Sequence, residues 1–175
     1  MNFTPDRALD YEAQMYSESA IQMARGAFGR ELDYSEKSIE DVEFMLSAIH
    51  ADTQERHVDD EKIRSVAVSV GYYIGEVFRR KYGAEWGWVG SDAERFVGMR
   101  ASGTEVLFWP GGKALGRIKN GFEDHIMVYY NGLVRETRKN MPVVSELPGQ
   151  RESRSTTANQ SRERKPSWIR RLFGA

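Results

Sequence analysis

A chain of 175 residues with 40% hydrophobic and 11% aromatic content has the make-up of one globular domain with some extra length. It contains no cysteine, which excludes disulfides, thiolate metal sites and a cysteine nucleophile. The net charge of −1 conceals a polarity: residues 1–62 carry −9, residues 63–144 carry +4 and residues 145–175 carry +4, which bears on partners rather than on fold.

The opening MNFTPDRALDYEAQ has neither the basic nor the apolar region of a signal peptide. No apolar run approaches the roughly 20 residues that span a bilayer, so a soluble, cytoplasmic protein is expected. Thr4 as N-cap, Pro5 at the first helical position and a Phe3–Ala8 staple predict a first helix. Its apolar positions Leu9, Ala13, Tyr16, Ala20, Met23 and Ala27 recur every three or four residues, and Gly26 and Gly29 weaken its end. A second helix starts from Ser35 as N-cap with Tyr34 and Ile39 as staple, and runs inward through Val42, Leu46 and Ile49. Asp59, Asp60 and Glu61 suit the N-terminal end of a third helix, which carries Ile63, Val66, Val70, Ile74 and Val77 inward and stops before Gly83.

Beyond Gly83 the residues turn aromatic and β-branched. Trp86–Val89, Arg95–Arg100 and Thr104–Trp109 predict short strands, the last two joined across Ala101-Ser102-Gly103. Pro110-Gly111-Gly112 should end the sheet, and a short helix through Leu115 and Ile118 should stop at Asn120-Gly121. Residues 123–130 fit either periodicity. Ile126, Val128 and Tyr130 alternate like a strand, while Phe122, Ile126, Tyr129 and Tyr130 suit the helix that we adopt.

The fold class expected is therefore α+β: an N-terminal three-helix set, a small antiparallel sheet, one or two further helices and a disordered basic C-terminal tail. Residues 1–144 form the domain. Residues 145–166, polar and rich in Ser and Arg, read as a disordered linker, and residues 167–175 as a short amphipathic motif.

The stretch VGYYIGEVFRRKYGAEWGW concentrates unusual residues. Gly71 and Gly75 fall on one helical face with Ala67, and each costs about 1 kcal/mol against alanine in a helix interior. Close approach of another backbone is the simplest compensation. Glu76 and Arg80, four apart in the favourable order, read as an intrahelical pair. This stretch resembles an uncharacterised group of small bacterial α+β proteins in which a G-x-Y-x-G-E helix runs into a Trp-bearing strand. The matching residues are Gly71, Tyr73, Gly75, Glu76, Gly83, Glu85 and Trp86, followed by Phe108-Trp109-Pro110, Arg117, Asn120-Gly121 and Glu123-Asp124. The resemblance implies a fold and carries no activity.

Catalytic and metal signatures are weak. His50 and His57, with Asp52, Asp59 and Asp60 nearby, match no strong ligand spacing. His125 beside Glu123 and Asp124 has no nucleophile placed with it, and PGGKAL lacks the full phosphate-loop pattern. No cofactor and no metal is expected. Basic residues interleaved with aromatics over residues 79–119 could contact nucleic acid, but an isoelectric point near 6.3 argues against a dedicated binder.

The leading expectation is a non-enzymatic interaction protein, of adaptor, accessory or immunity type, using its acidic helical surface and the C-terminal motif. In that motif Trp168, Ile169, Leu172 and Phe173 share one helical face, with Arg170 and Arg171 off it. It suits a protein partner, or weak peripheral contact with an anionic membrane. The rival is a small-ligand binder or enzyme that uses a groove beside Gly71 and Gly75 with Glu76, Arg80, Glu85, Trp86 and Arg117.

Overall fold

The computed structural model describes residues 2–91 and 94–141, so the expected linker and the Trp168–Phe173 motif lie outside the described residues. Strand β1 (Asn2–Pro5) leads into helix α1 (Ala8–Met23), which ends in a single wide π turn, Ala24–Phe28. Helices α2 (Ser38–Glu55) and α3 (Asp60–Tyr82) follow, then strands β2 (Ala84–Gly90), β3 (Arg95–Ala101) and β4 (Leu107–Phe108). Helix α4 (Pro110–Asn120), a short 3-10 turn (Gly121–Asp124) and helix α5 (Ile126–Asn140) complete an α+β fold. The four strands form one antiparallel sheet in the order β1-β2-β3-β4.

The expected helix start at Thr4 and Pro5 is corrected: these residues form an edge strand paired with β2, Thr4 opposite Trp88 and Pro5 opposite Gly87. Proline lacks an N–H, which an edge strand tolerates. Phe3 does not staple to Ala8; its ring lies over Gly87, where a side chain would collide with it. The helix begins three residues later, at Ala8, and the turn that enters it is braced by Asp6. One of its oxygens accepts from the Ala8 amide at 3.0 Å and the other from Trp88 Nε1 at 3.1 Å. Those two bonds, the Ala8 amide foremost, hold the Asp6 carboxyl below its ordinary range.

The other helix signals fare better. Gly29 takes the left-handed conformation (φ 61°) that closes the π turn. Ser35 Oγ accepts from the Ser38 amide at 3.2 Å and so caps the turn that enters α2. Asp59 accepts from the Glu61 amide at 2.7 Å, and α3 stops at Gly83, whose φ of 77° would strain any residue with a Cβ. Pro110-Gly111-Gly112, expected as punctuation, forms the first turn of α4, the position where proline is best tolerated in a helix.

The core lies between α3 and its neighbours. Ile39, Val42, Met45 and Leu46 of α2, Tyr73, Ile74, Val77 and Phe78 of α3, Met99 of β3 and Ile118 of α4 are fully buried. Tyr73 also organises the backbone. Its hydroxyl accepts from the Tyr34 amide at 2.9 Å and lies 2.6 Å from Ser38 Oγ. The Ser38 hydrogen already goes to the Ser35 carbonyl, so the phenol donates to Ser38. The arrangement pins Tyr34, which sits at φ 62° and stacks on the Tyr73 ring. Tyr73→Phe should cost about 1–2 kcal/mol, the net worth of such buried bonds. Urea unfolding measures this, and an unchanged midpoint would show that the hydroxyl does not hold the α1–α2 connection.

Candidate functional site

The glycine-bearing half of α3 receives two neighbours at close range. A Cβ added to Gly71 would fall on the Gly111 Cα and lie 2.5 Å from the Gly111 nitrogen, so α3 and α4 meet there backbone to backbone. A Cβ on Gly75 would enter the Trp86 ring and come 2.7 Å from Met99 Sδ. Trp86 and Met99 pair across β2 and β3, so the second glycine seats the sheet on the helix.

One turn further along, Glu76 is 3% exposed. Its Oε1 accepts from Arg79 Nε at 2.7 Å and from Trp86 Nε1 at 2.9 Å, while its Oε2 accepts from Arg79 Nη2 at 2.8 Å. Burial pushes this carboxyl up. The bonds from Arg79 and Trp86, with the charges of Arg79 and Arg80, outweigh that and hold it below the ordinary range. The expected Glu76–Arg80 ion pair is present, as the looser of two contacts. Arg79, three residues on, makes the bidentate contact, while Arg80 Nε stays 3.8 Å away and lies over the Tyr34 ring. A carboxylate whose two oxygens are both taken up within the chain holds geometry rather than a substrate. Its guanidinium partners border a polar cleft of about 520 Å³ with Arg7, Asp10, Tyr11 and Gln14.

Of the residues grouped by the rival reading, Gly71, Gly75, Glu76, Arg80 and Trp86 lie together at the helix–sheet joint, whereas Glu85 and Arg117 turn to other partners. Glu85 is exposed and pairs with Arg100 across the hairpin at 2.9 Å. Arg117 is buried and pairs with Glu43 of α2 at 2.7 Å, and Glu43 also accepts from the Ile126 amide at 2.8 Å. Gly71 and Trp86 do share a concavity of about 370 Å³, completed by Arg64, Ala67, Val68, Tyr72, Val97, Gly111, Gly112 and Leu115. Spacing in the sequence already groups Ala67 with Gly71, whereas Arg64 and Val68 went unseen, although they keep the same helical spacing.

His50, His125 and the loop-like PGGKAL have structural places, while His57 is exposed in the connection between α2 and α3. His50 Nδ1 lies 2.7 Å from the Ile118 carbonyl, and His125 caps α5 by accepting from the Met127 amide at 3.2 Å. Among the described residues no group of three His, Cys, Asp or Glu is arranged to hold a metal. Lys113, from PGGKAL, reaches Asp124 at 2.5 Å; together with Asn120 it holds that carboxyl below its ordinary range.

A second surface emerges on α1. Tyr11 is 68% and Met15 55% exposed, four residues apart on one stripe. Asp10, Glu12 and Glu18 are exposed around them, and α1 contains no cation. Beside this stripe Tyr16 stacks on Tyr72 at 5.3 Å, and Glu12 accepts from the Tyr72 hydroxyl at 3.0 Å. Burial first, and then Glu12, push the Tyr72 phenol up.

Among the described residues no helix is long and apolar enough to cross a membrane. No protein-family model and no curated protein matches the chain. It is similar in structure to a protein of Bacteroides thetaiotaomicron VPI-5482 whose crystal structure was determined at 1.50 Å, with a TM-score of 0.58 and 12% identity. The match covers 77% of this chain and 47% of that one, so this chain spans about half the length of its neighbour. At that identity the likeness is one of fold: the α+β arrangement has a counterpart among solved structures.

Proposed function

We infer that the protein is a non-catalytic interaction module whose outer α1 face receives a basic, amphipathic segment of a protein partner. The observation that carries this is the pairing of two strongly exposed apolar side chains, Tyr11 and Met15, with three carboxylates on the same helix; Arg7, Arg79 and Arg80 border the Tyr11 end, so the Met15–Glu18 end is the acidic part of the face. Large apolar groups left in water mark contact surfaces when they cluster, and methionine adapts its shape to varied partners. The −9 carried by residues 1–62 supplies attraction at a distance and specifies the sign of the partner. The motif Trp168–Phe173 belongs to the same reading as a second, tethered contact element, on its sequence alone. The G-x-Y-x-G-E signature fits membership of the group of small bacterial α+β proteins that it resembles.

A fluorescently labelled Leu/Lys amphipathic helix, titrated against the full chain by anisotropy, tests the proposal. Tyr11→Ala/Met15→Ala leaves the charge untouched and should weaken binding at least about tenfold, from the loss of two apolar anchors. Asp10→Asn/Glu18→Gln should instead flatten the salt dependence. Binding that ignores the Tyr11/Met15 pair would reduce the interaction to diffuse charge attraction and defeat the proposal.

A further inference from the structure

The concavity beside Gly71 is unlike the other clefts of the domain. Its volume of about 370 Å³ falls within the range of small-molecule sites. The polar cleft beside Glu76 is bordered by three arginines and two carboxylates, whereas this one is walled by Val68, Tyr72, Trp86, Val97 and Leu115. Its floor follows from the joint described above. Because Gly71 and Gly111 touch backbone to backbone, and Gly112 adds no side chain, α3 and α4 leave a narrow slot at their crossing. Tyr72 and Trp86, with ring centroids 4.8 Å apart, present aromatic surface on one side. The aliphatic residues face it from α3, β3 and α4.

Charge enters this slot through Arg64. Its guanidinium is 4.0 Å from Asp60, and both side chains are about two-thirds exposed, so the pairing is weak and the group is available to a ligand. A slot with apolar walls and a cation at its rim suits a molecule with an apolar body and a single negative charge.

We propose that the slot between α3, α4 and the sheet binds a small carboxylic acid with a flat apolar body. The body fills the space over Gly71 and Gly111, and the carboxylate pairs with Arg64. This site shares no lining residue with Tyr11 and Met15, although its wall residue Tyr72 bonds Glu12 of α1, and its occupant need not involve a protein partner.

The test is an NMR chemical-shift titration of the full chain with 1-naphthaleneacetate and, in parallel, with its neutral amide. Saturable shifts are expected at Gly71, Val97 and Gly112, with the acid binding about two- to fivefold tighter than the amide, the increment of a part-exposed ion pair. Arg64→Gln should equalise the two affinities while leaving amide binding intact. Val68→Trp fills the slot from its 39% exposed rim and should abolish both. Tyr11→Ala/Met15→Ala should change neither, which separates this proposal from the α1 reading. Absence of saturable shifts, undiminished binding by Val68→Trp, or a surviving preference for the acid in Arg64→Gln would each overturn it. Occupancy by an apolar peptide with no response to the naphthalene compounds would overturn it as well.

Discussion

Gly71→Ala should destabilise the folded unit by about 2 kcal/mol, although the same substitution in an ordinary helix interior stabilises. Overpacking typically costs about 1–3 kcal/mol. The upper part of that range applies, because the added methyl would fall on the Gly111 Cα, and backbone cannot rotate away as a side chain can. The gain in helix propensity, about 1 kcal/mol, offsets part of it. Gly132 in α5 provides the internal control, since nothing lies within 4 Å of its missing Cβ. Gly132→Ala should raise stability by about 0.5–1 kcal/mol. At roughly 3–5 °C per kcal/mol for a unit of this size, the two variants should move the melting midpoint in opposite directions. If both raised it, the α3–α4 joint would not be the close-packed contact described.

The second large effect concerns Glu76. Glu76→Ala leaves Trp86 Nε1 and the Arg79 guanidinium without their acceptor. Breaking a fully buried pair costs about 3–5 kcal/mol, but Arg79 is 38% exposed and can turn to water, so about 2–3 kcal/mol is expected. Glu76→Gln keeps one acceptor for the indole and should cost less. The pH dependence has a definite sign. Because the carboxyl is held below its ordinary range in the folded chain, its stabilisation is complete above the unfolded-state pKa of about 4.3. It is lost as pH falls through the lower folded value. Urea unfolding between pH 7 and pH 3 should show a larger loss for the native chain than for Glu76→Gln. Parallel pH profiles would mean that this carboxylate is not specifically stabilised.

Particular residues show where the sequence was legible. Capping and stop signals act within a few residues, so Asp59 and Gly83 marked both ends of α3. The pair Gly71 and Gly75 was readable as a packing face because two glycines in a helix need compensation. The identity of the compensating neighbours, Gly111 and Trp86, depends on long-range pairing that no local pattern encodes. The N-terminal strand was lost for the same reason. Thr4-Pro5 is a sound local helix signal, yet pairing with β2 and the Phe3–Gly87 contact prevail over it. Arg117 was grouped with the glycines because of its place in a shared pattern, whereas the fold turns it toward Glu43. Tyr11 and Met15 escaped notice because exposure is a tertiary property: Tyr16 and Met23 on the same helix are more sheltered.

The measurement that bears most directly on the proposed function is chemical-shift mapping of the full chain with the Leu/Lys amphipathic peptide at physiological ionic strength. Shifts centred on Tyr11, Met15 and Glu18, and lost in Tyr11→Ala/Met15→Ala, are the expected result. Shifts spread evenly over the acidic residues of α1 and α2, or centred away from α1, would contradict an interaction face on that helix.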